Sequence, residues 1–205
     1  MAKYKGKYRI ESSRLQNWDY GWDGAYFITI CTKDRAHYFG DINNGIMHLS
    51  PVGAIANVLW YEIKNHASNL TLGEFVVMPN HVHGILILDG NDGVREKAGL
   101  VSTSSPSEIE PPQTIGQKRF QNQGKNTISS IVGGYKSAVT RHSRRLGFDF
   151  AWQARFWDHV IRDENAYERI SQYIKNNTIK WQDDKLNGGK GNVVLDPGVP
   201  YGEEY

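Results

Sequence analysis

With 205 residues, 39% of them apolar and 22% charged, the chain has the make-up of one globular domain with room for a sizeable core and an added arm or tail. A net charge of +2 is too small to argue nucleic-acid binding by itself, so the placement of charge matters more than its total. Neither an apolar h-region nor a run near the roughly 18 apolar residues of a membrane span is present, and the single Cys31 excludes an intramolecular disulfide. We expect a soluble, cytoplasmic protein with no membrane partner.

In chain order, residues 1–23 form a basic and aromatic arm without clear periodicity. Gly24–Thr32 is rich in aromatic and β-branched residues and reads as a strand, with Cys31 as a buried small hydrophobe. Asn43-Asn44-Gly45 between two short apolar runs marks a hairpin within 38–49, because Asn and Gly tolerate the positive φ of tight turns. Ser50-Pro51 opens a helix as hydroxyl cap and first-turn proline, with Val52, Ile55, Ala56, Leu59 and Ile63 as its apolar stripe. Residues 74–79 and 81–88 read as two strands broken at Pro79-Asn80. The stretch 89–126 is dominated by Gly, Ser, Pro, Gln and Asn, and reads as a loop-like insertion. Thr127 begins a second helix with the stripe Ile128, Ile131, Val132, Tyr135, Ala138 and Val139. Phe156–Arg162 reads as a strand, and Asp163 caps a third helix carrying Tyr167, Ile170, Tyr173 and Ile174. Residues 185–205 form an irregular tail, leaving 24–184 as a single domain.

This order describes an α+β sandwich, an antiparallel sheet with helices packed on it, in a ferredoxin-like or RNA-recognition-like arrangement. The order of the strands is not in the sequence.

Two patterns carry chemistry. In Met78-Pro79-Asn80-His81-Val82-His83-Gly84, strand alternation puts His81 and His83 on one face, where two imidazoles can hold one divalent metal. The pattern alone serves two ordinary polar histidines as well. On the third helix, Tyr173 and Asn177 lie one turn apart. A neutral tyrosine, with a pKa near ~10, is a poor nucleophile without help, and the Asn carbonyl is a hard ligand suited to Mg²⁺ or Mn²⁺ beside imidazole nitrogens. The helix alone would equally fit Tyr173 as a core aromatic.

Taken together, Gly24–Thr32, Phe75–Gly84, Gly133–Arg141, Trp152-Gln153, Asp158–Glu164 and Arg169–Trp181 resemble the single-tyrosine HUH transposases, in particular the branch associated with repetitive extragenic palindromes. The resemblance spans roughly residues 14–184. It implies a ferredoxin-like sandwich whose central strand bears the His pair and whose late helix brings the Tyr. It further implies Tyr173 as nucleophile, and His81, His83 and Asn177 as holders of Mg²⁺ or Mn²⁺. The implied activity is cleavage and rejoining of single-stranded or hairpin DNA through a 5′-phosphotyrosine, by a protein that joins the nucleoid when bound to DNA. A homodimer is among the assemblies the family uses, and monomers are another.

Two positions depart from the family: Asn177-Thr178 stands where many relatives have Asn-Pro, and Phe156-Trp157 where relatives often carry a Tyr pair. Tyr135, where the family often has Phe, reads as core. Lys136, Arg141, Arg144 and Arg155 are candidate DNA-backbone contacts, whereas His159 and Arg162 read as structural hydrogen-bonding residues. Two other readings stay open, a domesticated hairpin-binding protein that no longer cuts and an RNA-binding module. The second would want sheet aromatics in place of the His pair.

Overall fold

The computed structural model describes residues 3–4, 7–8, 21–67, 69–89 and 127–187. Most of the N-terminal arm, the insertion at 90–126 and the tail beyond 187 lie outside the described residues. In the arm, β1 (Lys3–Tyr4) and β2 (Lys7–Tyr8) pair as a minimal antiparallel ribbon.

The main sheet holds β3 (Gly24–Cys31), β6 (Leu70–Met78), β7 (His81–Leu88) and β8 (Trp157–Ile161), in the order β6-β7-β3-β8 with every pairing antiparallel. Between β3 and β6 come the hairpin β4 (Gly40–Asn43) and β5 (Ile46–Leu49) and then helix α1 (Pro51–Glu62). Helix α2 (Ile128–Arg145) precedes β8, and α3 (Glu164–Asn176) follows it. The β3–α1–β6–β7–α2–β8 path with that strand order is the ferredoxin-like arrangement. The reading of β6 from residue 74 was short, because its first residues, Leu70–Leu72, are joined to the rest only across a register shift between Leu72 and Phe75.

Local chemistry sets the boundaries. Ser50 Oγ accepts the Gly53 N–H at 3.0 Å and Pro51 fills the first turn of α1. Thr127 and Ser130 form a reciprocal cap on α2, and Asp163 Oδ1 accepts the Ala166 N–H at 2.8 Å to start α3. Asn44 and Gly45, at φ 53° and 76°, make the β4–β5 turn.

The two faces of the sheet have separate cores. One packs Tyr26, Ile28, Ile30, Val82, Leu86 and Leu88 against α1 and α2. The other packs Phe27, Ile85 and Ile161 against Ala166, Ile170 and Ile174 of α3. On α1 the buried residues are Val52, Gly53, Ala56 and Trp60, so the stripe is turned from the one read along Ile55 and Leu59, which are only partly buried. The indole of Trp60 explains the shift. It occupies the place of a side chain opposite Gly84, where an added Cβ would lie 2.2 Å from Trp60 Cζ2.

Candidate functional site

β7 is flanked by β6 and β3, and its odd-numbered residues face α3. This alternation sends His81 and His83 to the α3 side while Val82 enters the opposite core. The imidazole centroids are 4.4 Å apart, and the residues are 0% and 1% exposed.

Each ring is oriented from behind. His81 Nδ1 lies 2.8 Å from Asn80 Oδ1. The amide orientation of Asn80 follows from its nitrogen, which donates to the carbonyls of Arg35 at 3.2 Å and Leu186 at 2.7 Å. Asn80 Oδ1 can therefore only accept, so His81 carries its proton on Nδ1 and leaves Nε2 as a lone pair. That Nε2 is buried and has no hydrogen-bond partner. His83 Nδ1 meets Thr29 Oγ1 at 2.8 Å, across the β3–β7 pair, and its Nε2 lies 3.3 Å from the Tyr173 hydroxyl. Burial lowers the pKa of His81 well below the usual imidazole value, helped by His83, and brings that of His83 down to about 3. Both rings are neutral at ordinary pH, the form that ligates metals.

Tyr173 reaches His83 because α3 lies over β6 and β7, where Lys175 pairs with Glu74 at 3.1 Å. Phe27 fills the space between the site residues, 5.2 Å from His83 and edge-on to Tyr173 at 6.1 Å. One turn on, Asn177 caps α3 with helical φ and ψ and is 3% exposed. Its Oδ1 is a second buried acceptor without a partner. Thr178 accepts the Trp181 N–H through its carbonyl as the chain enters a 3₁₀ turn at Trp181–Asp183.

That turn delivers a residue the sequence reading did not single out. Asp184, 9% exposed, is hydrogen-bonded by the Asn177 side chain and accepts the Leu186 N–H at 2.7 Å. Burial raises its pKa, opposed by those two hydrogen bonds and by Arg35. One ligand atom from each of His81, His83 and Asp184 lies within 4.8 Å of the others. Two neutral imidazoles, a carboxylate and an amide carbonyl make a nitrogen-and-oxygen donor set suited to a divalent ion such as Mn²⁺ or Mg²⁺. The two buried acceptors without a protein partner, His81 Nε2 and Asn177 Oδ1, fit that donor set. No local spacing announces Asp184, since it sits in irregular chain next to a second aspartate.

The other candidates fall elsewhere. Tyr135 is core, as read: its hydroxyl donates to the Ala56 carbonyl at 2.9 Å and burial raises its pKa. Cys31 is only partly buried, because it lies past the end of the β3–β8 pairing, opposite His81. Lys136, Arg141 and Arg144 line an open groove of about 380 Å³ with Ser137, Thr140 and Trp152. Lys136 Nζ donates to the carbonyls of Gln153 at 2.7 Å and Arg155 at 3.3 Å. Arg155 itself is exposed, outside the lining of that groove. The groove adjoins the His81 end of the sheet: Lys136 holds the Gln153 carbonyl, and the Gln153 N–H donates to the carbonyl of Cys31, which pairs with His81.

No family model matches the chain. An uncharacterized protein of Haemophilus influenzae is 36% identical over 187 residues, covering 90% of this chain and 97% of the relative. Among solved structures, a REP-associated tyrosine transposase bound to a REP hairpin aligns over 88% of this chain and 81% of its own, with TM-score 0.52 and 18% identity. The strand order, the two-sided packing and these likenesses agree: the chain belongs to the family of the Haemophilus influenzae protein and has the fold of the REP-associated tyrosine transposase.

Proposed function

We propose that the chain is a metal-dependent, single-tyrosine DNA transposase that cuts and rejoins single-stranded or hairpin DNA. The observation that supports this most is the Tyr173 hydroxyl 3.3 Å from His83 Nε2, at the edge of a buried donor set formed by His81, His83, Asp184 and Asn177. The partner class is carried over from the structural neighbour, which is bound to a REP hairpin.

A divalent ion held by these residues would supply Lewis-acid polarisation of a non-bridging phosphate oxygen. The remaining work belongs to the chain. Asn80 holds His81 in the tautomer whose Nε2 is a lone pair, and Thr29 orients His83 through its Nδ1. Asn177 holds the carboxylate of Asp184. Tyr173 oxygen attacks phosphorus, the bond to the 3′-oxygen breaks, and the proton lost by tyrosine ends on the departing 3′-hydroxyl. A 5′-phosphotyrosine remains, and attack on it by another 3′-hydroxyl restores a phosphodiester without an external energy source. Lys136, Arg141, Arg144 and Arg155 are assigned to the DNA backbone. His83 Nε2, 3.3 Å from the Tyr173 hydroxyl, is the nitrogen an ion would use, so the two engagements exclude each other.

The test is adduct formation on hairpin DNA with Mn²⁺. Wild type should give a denaturation-resistant complex with the 5′-phosphate fragment and leave a free 3′-hydroxyl on the other. Tyr173→Phe should fold and bind DNA but give no adduct, while Tyr135→Phe should still form it. An adduct that survives Tyr173→Phe removes the nucleophile assignment. Binding with neither cutting nor adduct in wild type would replace the proposal with a hairpin-binding protein.

A further inference from the structure

We infer that Trp157, with His159 beside it, is a stacking surface for a base of the bound strand next to the nucleophile. The inference rests on the DNA-processing reading above and names where that DNA lies. β8 is an edge strand, paired only with β3 in the described sheet. Trp157 stands opposite Thr29 and His159 opposite Phe27, so both point to the sheet face that carries His83 and Tyr173. Their rings are parallel within 3°, with centroids 5.9 Å apart, and both residues remain partly exposed. Two flat rings in one plane direction on a half-open sheet edge suit the π-face of a base, and stacking of this kind tolerates any base.

The surface is joined to the chemistry. Trp157 meets Phe27 edge-on at 5.6 Å, and Phe27 in turn contacts both Tyr173 and His83. Trp157 is thus two ring contacts from the ring that carries the attacking oxygen. Charge matches the occupant. Arg155 before β8 and Arg162 after it are exposed and have no ion pair among the described residues, which leaves them available to phosphates at both ends of the strand. Burial, then Arg162, lowers the pKa of His159 against the pull of Asp158, which favours the neutral ring as a flat stacking face. Lys136, by holding the carbonyls of Gln153 and Arg155, ties the start of this track to the basic groove on α2.

The experiment uses the full chain carrying Tyr173→Phe and a short oligo(dT) with one 2-aminopurine placed at successive positions. Stacking on Trp157 should quench the fluorescence at one position. Trp157→Ala should abolish the quench and weaken binding about 5- to 150-fold, the range that ~1–3 kcal/mol per stacked base implies, while Trp157→Phe keeps most of both. Because Trp157→Ala also removes packing on Phe27, the contact is read from the DNA side as well. An abasic nucleotide at the quenched position should weaken binding to the parent by a similar factor, and add little on top of Trp157→Ala. Quenching unchanged in Trp157→Ala, or an abasic penalty equal in both proteins, overturns the inference. A parent that quenches normally, in a protein whose wild type forms no adduct, would leave the stacking surface standing and remove only the cleavage reading. A parent that binds no oligonucleotide overturns both.

Discussion

Asn80 shows how much of a short motif is scaffolding. Between proline and the first histidine it looks like a turn residue, yet its side chain fixes the tautomer of His81 and binds the carbonyls of Arg35 and Leu186. Residues that orient ligands from behind are worth about 10- to 100-fold in metal affinity. Asn80→Ala should therefore weaken Mn²⁺ binding by that order in a calorimetric titration without DNA, with the far-ultraviolet circular dichroism kept. Unchanged Mn²⁺ affinity would mean that His81 is oriented by its burial alone. The two histidines were legible in the sequence because strand alternation is a local rule. The role of Asn80 was not, because its partners are 45 and 106 residues away.

Among the elements, those with a clear period and a cap were readable: β3, β7, α2 and α3 lie where alternation, apolar spacing and the residues Thr127 and Asp163 put them. What escaped was set by a distant partner or by chain without a period. The facing of α1 depends on Trp60 filling the space over Gly84, and Asp184 sits after a 3₁₀ turn. α2 offers a test of local propensity. Gly133 and Gly134 are exposed, and a Cβ on either meets nothing within 4 Å. Gly133→Ala should raise unfolding stability by about 0.8–1 kcal/mol, since glycine costs that much in a helix interior. A denaturant melt showing a loss instead would mean that the backbone of α2 is not relaxed there.

Among the described residues, the donor set and the basic groove lie towards one end of the sheet, linked through Cys31 and Gln153. A near-neutral chain can hold a polyanion in this way, by gathering its cations where the strand runs. Each phosphate contact contributes about 0.7 to the slope of log affinity against log salt on single strands. Arg141→Ala and Arg144→Ala should each lower that slope by roughly this amount in an anisotropy titration across salt concentrations, with melting temperature little changed. A slope identical to wild type in both would take the groove off the DNA path. The groove was half legible, because basic residues clustered in sequence were visible, but their union with Trp152 needed the crossing of the chain after α2.

The two-residue turn at Pro79 and Asn80 also has an evolutionary consequence. Met78 pairs directly with His81, and Cys31 opposite it fixes the same register from the other side. One inserted residue would rotate both imidazoles into the layer occupied by Trp60; two would restore the face but slide the pair by about 6.6 Å along the strand, out of reach of Tyr173 and Asp184. A change of length in this turn therefore acts directly on the donor set. In any lineage of such proteins, a gap in this turn should mark the point at which the donor set was lost.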